Sequence, residues 1–228
     1  MKYILHIDTS TDVAVVAIGG DGNLLSSRVN TEARNHAAVI NANIASALEE
    51  AGIQLKDLSA IALCGGPGSY TGLRIGMSTA KGLCYALGIP LLMHNRLLLM
   101  LLPYLHDNKN PHDIYSVIVP ARDKEYFVAS YNEKLESIVE PQHVNEGQLE
   151  ELLDNSAETW LVLYDEHLKE TIIVNKEHVR ETAANRLDLS NWCTYIYDEY
   201  NCNRIVKMDY SEPFYLKSVY THNKLKTN

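Results

Sequence analysis

Short apolar runs and turn signals alternate at the start of the chain. Runs at 2–8, 12–18 and 24–30 have the length of strands, and the second and third are joined by Gly19-Gly20-Asp21-Gly22-Asn23. A cluster of this kind tolerates the positive φ angles of a hairpin turn. The chain is therefore predicted to open with an antiparallel meander, an order that a dinucleotide-binding domain does not have.

Between Asn35 and Ala51 the apolar residues follow helical spacing, which predicts a helix. Asn35 is predicted as its N-cap and Gly52 as the residue that ends it. One face of the helix is apolar and suits packing on a sheet: Ile40, Ile44, Ala47, Leu48 and Ala51. A second face carries only the small residues Ala38, Ala42 and Ala45, which would admit another helix at close range.

A buried strand at 60–63 leads into the glycine-rich segment 64–72, and a helix is predicted over 71–87, ending at Gly88. This helix contains Gly72, Gly76 and Gly82. Each interior glycine costs about 1 kcal/mol relative to alanine. A helix that accepts this cost usually brings its backbone close to a ligand or to another helix, and the sequence leaves both open.

The remaining pattern predicts a second lobe. A strand at 89–93 and a helix at 95–104 complete the first part. The polar segment 106–112 is predicted as the boundary, which gives an N-terminal lobe of residues 1–106 and a C-terminal lobe of residues 107–228. Strands are predicted at 114–119, 126–131 and 159–163, and helices at 145–153, 166–175 and 189–200. The tail after Pro213 is not assigned, and the last residues are expected to pack back on the first lobe.

Charge and composition narrow the classes of function. The net charge of −9 argues against this chain alone holding a nucleic-acid backbone, which proteins bind with Lys and Arg. A strand begins at once where a secretory signal would need a longer apolar stretch, and no apolar run is long enough to span a bilayer. The sequence therefore predicts a cytoplasmic protein with no membrane segment. None of the cysteines forms a C-x-x-C pair, and they are predicted to be buried thiols.

The segment Gly65 to Gly72 is the strongest local feature, because backbone N–H groups in a loop before a helix can bind an anion. It lacks the Gly-Lys-Ser/Thr of a P-loop, the glycine spacing of a dinucleotide site and the serine position of a nucleophile elbow. A ligand-binding loop and a purely structural turn both remain open.

A polar turn, Asp8-Thr9-Ser10-Thr11-Asp12, follows the first strand. Its hydroxyls and carboxylates could face a phosphate or a hydrated Mg²⁺, although the same residues make an ordinary Asx or Ser/Thr turn, which is the simpler interpretation. The histidines form no paired metal motif, and His36 and His94 each stand alone. Neither a metal site nor a catalytic residue is predicted.

The run from Cys64 to Leu83, C-G-G-P-G-S-Y-T-G-L-R-I-G-M-S-T-A-K-G-L, strongly resembles the TsaB family, also called YeaZ and once labelled glycoprotease-like. The opening Ile4 to Thr11, the turn Pro120-Ala121-Arg122-Asp123 and the late segment Pro213 to Lys217 resemble the same family. The resemblance is close over the first lobe and loose afterwards. It implies an α/β, actin-like ATPase fold (ASKHA, ribonuclease H-like) with two lobes, the C-terminal one reduced.

The resemblance also implies a role. Members of this family are non-catalytic subunits required to place a threonylcarbamoyl group, taken from threonylcarbamoyl-AMP, on N6 of the adenosine beside the tRNA anticodon. The implied partners are the catalytic paralogue TsaD and the ATPase TsaE, with a homodimer when the chain is alone and tRNA held only indirectly.

Catalysis by the chain itself is not expected. The catalytic relative holds a metal with paired histidines after the strand that follows its glycine-rich helix, whereas Met93 to Met100 keeps only His94. A single imidazole cannot supply the three or more ligands that a catalytic metal needs. The implied cofactor is none, with weak binding of ATP or ADP left open.

The implied sites are a cleft and a surface. A vestigial nucleotide cleft would consist of Asp8, Thr9, Ser10, Gly65, Gly66, Pro67 and Gly68. The partner interface would lie on the two helices, at His36, Ala38, Ala42, Ala45, Gly72, Arg74, Gly76, Met77, Ala80 and Lys81. The sequence does not decide which face of each helix points outward. The alternatives are an active ATPase or metallopeptidase of the same fold and a module that senses nucleotide without turnover.

Overall fold

Two five-stranded mixed sheets form the frame of the chain. The structure is a computed structural model that describes residues 1–32, 35–105, 114–122, 124–154, 160–164, 179–181 and 187–216. The strands of the first sheet are β1 (Tyr3–Asp8), β2 (Ala14–Gly20), β3 (Asn23–Asn30), β4 (Leu58–Cys64) and β5 (Leu91–His94).

The first sheet has the strand order β3-β2-β1-β4-β5. The strands β1, β2 and β3 are antiparallel, whereas β4 runs parallel to β1, and β5 runs parallel to β4. Between β2 and β3 the φ angles of Asp21 and Gly22 are 47° and 83°, as in the hairpin turns that match strand twist. The predicted meander is therefore confirmed.

Three helices accompany these strands along the chain: α1 (His36–Ala51), α2 (Tyr70–Leu87) and α3 (Arg96–Leu101). Helices α1 and α2 pack on the first sheet, whereas α3 lies against strands of the second. Gly52 and Gly88 end α1 and α2 in the left-handed conformation, with φ of 68° and 67°. Asn35 is the N-cap residue of α1, as predicted, although its side chain makes no cap bond to the helix and instead donates to Glu32 Oε2 at 3.1 Å. A short 3₁₀ turn at Leu102–Tyr104 extends α3.

The second sheet repeats the topology of the first. Its strands are β6 (Ile114–Arg122), β7 (Glu125–Tyr131), β8 (Ser137–Asn145), β9 (Trp160–Tyr164) and β10 (Val179–Glu181). They follow the order β10-β9-β6-β7-β8, in which β6, β7 and β8 are antiparallel, β9 is parallel to β6, and β10 is parallel to β9. This repetition confirms the two-lobed α/β fold.

Two strands of the second sheet escaped prediction. Strand β8 lies at the edge, is largely exposed or half-buried and contains Pro141, so it lacks the apolar alternation that marks a strand. Strand β10 has only three residues. The predicted helix at 166–175 lies outside the described residues.

The helices of the second half are α4 (Glu146–Asp154) and α5 (Leu189–Asn201). Helix α5 packs against the first sheet, and beyond it Val206 N donates to Leu91 O at 2.9 Å. The predicted division after residue 106 falls in 106–113, outside the described residues, so it stays a prediction. Among the helices that the structure describes, none is long and apolar enough to cross a membrane.

Strands β1, β2 and β4 of the first sheet are largely buried on both faces. Successive side chains of a strand point to opposite sides of the sheet, so they enter two different clusters. Leu5 and Ile7 of β1 lie in a cluster with α1 and α2, whereas Ile4 lies in a second cluster with α3, α5 and the second sheet. The cysteines follow this burial: Cys64, Cys84 and Cys193 are buried as predicted, whereas Cys202, just after α5, is exposed and corrects the prediction.

His6, in the centre of β1, is fully buried against α5. Its ring meets that of Trp192 edge to face, with 4.9 Å between centroids. In the described part of the chain neither ring nitrogen of His6 has a hydrogen-bond partner. Burial lowers the pKa of His6 from 6.5 to about 3, because the imidazolium would lose its hydration without gaining a partner.

This burial predicts a loss of stability in acid. The unfolded chain protonates His6 below its ordinary pKa of 6.5, whereas the folded chain does so only near 3, so the stabilisation is present above 6.5 and falls as the pH falls. We expect His6 to account for a loss of about 2–3 kcal/mol between about pH 6.5 and about pH 4.5. Urea unfolding across this range should show the loss in the wild type and not in His6→Leu. His143→Leu changes a half-exposed ring and should keep the loss of unfolding free energy in acid. Parallel plots of unfolding free energy against pH for the wild type and His6→Leu would contradict the account.

Candidate functional site

Polar side chains meet where β1, β4 and β5 end, because the carboxyl ends of parallel strands lie at the same edge of a sheet. Asp8 ends β1 with only 2% of its surface exposed. Its Oδ1 accepts hydrogen bonds from Ser10 N at 2.9 Å and from Ser10 Oγ at 2.6 Å. Its Oδ2 accepts one from Arg96 Nη1 at 2.6 Å. The predicted Asx turn is thus present, and a buried cation faces it.

Arg96 reaches Asp8 from the first turn of α3. Asn95 caps that helix by accepting a hydrogen bond from Leu98 N at 2.8 Å, and Arg96 N donates to Gly66 O at 2.6 Å. The guanidinium also lies 3.3 Å from Ser10 Oγ. Only 2% of the Arg96 side-chain surface is exposed, the same fraction as for Asp8. Sequence reasoning missed Arg96, since an arginine in the first turn of an apolar helix is ordinarily solvated.

The glycine-rich loop lies directly against the turn after β1. A Cβ atom at Gly68 would clash with Ser10 O, and one at Gly72 would clash with Thr9 O. The contact is hydrogen-bonded, with Ser69 N donating to Ser10 O at 2.7 Å and Thr9 Oγ1 donating to Gly72 O at 2.7 Å. These glycines therefore serve the close approach of two backbone segments, which favours the structural interpretation of the loop.

The C-terminal segment covers the other side of the loop. Phe214 N donates to Gly65 O at 2.9 Å, and a Cβ at Gly65 would lie 2.9 Å from the Phe214 ring. Gly66 has φ of 98°, a conformation that favours glycine, and Pro67 is buried. The predicted cleft residues are thus brought together, and side chains of the same chain fill the space between them.

The thiol of Cys64 lies beside this cluster. Its Sγ lies 3.8 Å from Ser10 Oγ. Burial, followed by the negative charge of Asp8, raises the pKa of Cys64 to about 12. Because the thiolate is the reactive form, this thiol is inert at neutral pH.

His94 at the end of β5 is tied to α5. Its Nε2 lies 3.4 Å from Glu199 Oε2, and its ring meets Tyr195 at 5.1 Å between centroids. The hydrogen bond from His94 and the charge of Arg204 hold the pKa of Glu199 below its ordinary value. Glu199 lies far from His94 in sequence, so no spacing signal could have found it. Among the residues that the structure describes, no group of three His, Cys, Asp or Glu side chains could hold a metal ion.

Comparison with known proteins gives the family. The model of the family "TsaD: tRNA N6-adenosine threonylcarbamoyltransferase" matches residues 23–182. The chain belongs to this family. A tRNA N6-adenosine threonylcarbamoyltransferase of Streptococcus pneumoniae is 36% identical over 112 residues, which cover 42% of this chain and 33% of the enzyme. An uncharacterised protein of Mycobacterium tuberculosis is 40% identical over 92 residues, which cover 40% of this chain and 44% of that protein. The chain thus spans less than half the length of these relatives.

Solved structures confirm the actin-like fold and the predicted resemblance to YeaZ. YeaZ from Pseudomonas aeruginosa superposes with a TM-score of 0.74 at 22% identity, covering 95% of this chain and 100% of that one. The ethanolamine utilization protein EutJ from Carboxydothermus hydrogenoformans superposes with a TM-score of 0.56 at 10% identity, covering 86% of this chain and 90% of that one.

Helix α2 packs one broad buried face on the first sheet. Gly72, Gly76, Met77 and Ala80 are all buried, and a Cβ at Gly76 would lie 2.5 Å from Thr9 Oγ1. The prediction that these four residues lie at a partner interface is therefore corrected. Helix α2 has a stripe of small residues (Gly72, Gly76 and Ala80) and a stripe of larger apolar residues (Leu73, Met77 and Cys84). The two stripes are adjacent on a helix of 3.6 residues per turn, and both are buried.

The outer side of α2 is polar and aromatic. Arg74 is exposed and lies over the Tyr70 ring, 4.4 Å from its centroid, while Tyr215 of the C-terminal segment contacts Tyr70 at 5.2 Å. Lys81 is half-buried, and Tyr85 is 82% exposed. Of the interface residues predicted on α2, only Arg74 and Lys81 are therefore accessible.

Helix α1 exposes the face of small residues that the sequence singled out. Ala38, Ala42 and Ala45 are exposed, while Ile40 and Ile44 pack on the sheet. His36, also predicted at the interface, is only 6% exposed, and its Nε2 lies 2.9 Å from Thr11 O. It joins the start of α1 to the turn after β1 and so has a structural role.

Helix α2 contains one glycine in close contact with the turn after β1 and one with open space around it, so alanine substitutions at the two should change stability in opposite directions. Gly72→Ala would drive a Cβ into Thr9 O, so we expect a loss of at least about 2 kcal/mol in unfolding free energy. Gly82 has nothing within 4 Å of an added Cβ, and Gly82→Ala should raise stability by about 0.5–1 kcal/mol. Chemical denaturation of both variants measures the difference, and equal effects would contradict the proposed contact.

Proposed function

We propose that this chain is a non-catalytic subunit required for N6-threonylcarbamoyladenosine formation in tRNA, acting in the cytoplasm. One observation carries the proposal: the edge where an actin-like fold would bind its ligand is filled by the chain's own groups. Arg96 is bound to Asp8, and Phe214 covers Gly65. Membership of the threonylcarbamoyltransferase family supports a role in forming N6-threonylcarbamoyladenosine. The filled edge favours a supporting role over catalysis.

The partner would be the catalytic subunit TsaD, working together with the ATPase TsaE. The surface that we propose for it, the outer helix surface, consists of Ala38, Ala42 and Ala45 on α1 and Arg74 and Tyr85 on α2. Small side chains let a partner helix approach closely, and exposed Tyr and Arg are the residue types that anchor protein interfaces. The same surface would pair two copies when the partner is absent.

The tRNA would be held by the partners. The chain carries 29 acidic and 20 basic residues, a balance that repels a phosphate backbone. In this proposal the chain therefore raises the activity of the catalytic subunit by binding it, and contacts the RNA only indirectly.

A charge on the outer helix surface should abolish this effect. In a reaction of TsaD, TsaE, threonylcarbamoyl-AMP and unmodified tRNA, we expect modification to require this chain. Ala42→Glu would bury an unpaired carboxylate against the partner and should lower the rate at least about tenfold. Ser190→Glu places the same charge at an exposed position on α5 and should leave the rate unchanged. Nucleoside mass spectrometry reads the product.

Two outcomes would contradict the proposal. Equal modification with and without the chain would exclude a required subunit. Nucleotide turnover or peptide cleavage by the isolated chain would instead support an active enzyme of the same fold. Ala42→Glu must keep the melting temperature of the wild type for its loss of activity to report on binding, which the exposure of Ala42 favours.

A further inference from the structure

The buried carboxylate of Asp8 needs a positive partner. It lies at the carboxyl edge of the first sheet with 2% of its surface exposed, and a charge removed from water in this way is costly unless it is paired. The hydroxyl of Ser10 lies beside it, with Oγ 2.6 Å from Asp8 Oδ1. A carboxylate with a neighbouring hydroxyl oxygen is the ligand chemistry that a hard divalent cation such as Mg²⁺ takes.

The described residues do not fit a resident cation at this position. Arg96 Nη1 lies 2.6 Å from Asp8 Oδ2 and 3.3 Å from Ser10 Oγ, so the guanidinium occupies the space in front of the oxygens. A guanidinium carries only donors and cannot ligate a metal. It would also repel one.

The backbone of Arg96 is joined to the glycine-rich loop. Its N–H donates to Gly66 O at 2.6 Å. Phe214 binds the same loop through Gly65 O at 2.9 Å. The cation and the loop are therefore parts of one packed unit.

We propose that Arg96 is a built-in replacement for a divalent cation at Asp8, and that it closes the strand-end edge to metal ions and metal–nucleotide complexes. The pair keeps the electrostatic balance of the edge while removing its capacity to bind a ligand. This inference does not rest on the partner proposal, because its test uses the isolated chain and no tRNA reaction.

The test is to remove the guanidinium and offer a cation. Arg96→Ser should gain binding of Mg²⁺ and Mn²⁺. At a concentration of about 100 times the Kd, the cation should raise the Tm by about 5–10 °C for a chain of this length. The wild type should show no such rise. Mn²⁺ binding followed by electron paramagnetic resonance gives a second readout that does not depend on unfolding.

Two control variants separate site binding from general effects. Arg28→Ser removes the arginine of the exposed ion pair with Glu50 and should gain no cation response. The double variant Asp8→Asn with Arg96→Ser removes both charges, so it should fold without added metal and should also lack the response.

Each outcome decides the proposal. If Arg96→Ser folds only when Mg²⁺ or Mn²⁺ is present, the cation has replaced the guanidinium and the proposal stands. If the wild type binds either ion or Mg²⁺–ADP as tightly as Arg96→Ser does, Arg96 closes nothing. If Arg96→Ser gains no binding, or stays unfolded with metal while the double variant folds, the site does not accept a cation and the proposal is wrong.

Discussion

The approach of α2 to the turn after β1 is the contact on which the rest of the structure depends. Backbone carbonyls of Thr9 and Ser10 lie where side chains at Gly72 and Gly68 would otherwise be, and hydrogen bonds from Ser69 N and Thr9 Oγ1 join the two segments. This contact lays α2 on the first sheet with one broad buried face. It also explains why α2 accepts Gly72 and Gly76 despite their cost to helix stability.

The ion pair between Asp8 and Arg96 follows from that packing. Strands β1, β4 and β5 bring the turn, the glycine-rich loop and the start of α3 to one edge, where a ligand would bind in an open α/β sheet. Here the chain's own cation and the Phe214 ring take up this space. We propose that the functional part of this chain is the outer helix surface, which binds the partner, and not the edge of the sheet.

The first lobe could be predicted from sequence because its signals are local. Strand-length apolar runs, the hairpin glycines and the two helix-ending glycines, Gly52 and Gly88, each mark an element within a few residues. The second sheet was less accessible, since β8 is an edge strand with little apolar alternation. The orientation of α2 could not be read either, because both of its small and apolar stripes suit burial.

The candidate site shows the same limit. The sequence identified Asp8 and the glycine-rich loop and raised the expectation that the last residues pack back on the first lobe, yet it did not point to Arg96 and Phe214 as the residues that fill the space between them. Arg96 lies 88 positions from Asp8, and Phe214 lies still farther along the chain from Gly65. A pairing across such distances is set by tertiary packing, which spacing along the chain does not encode.

The most direct test of the account is hydrogen–deuterium exchange of the chain alone and bound to the catalytic subunit TsaD. If the outer helix surface is the functional part, binding should slow exchange in peptides that cover α1 and α2. Peptides from Cys64 to Gly68, already packed by the chain itself, should exchange alike in both states. Protection confined to those loop peptides, or no protection anywhere, would contradict the account.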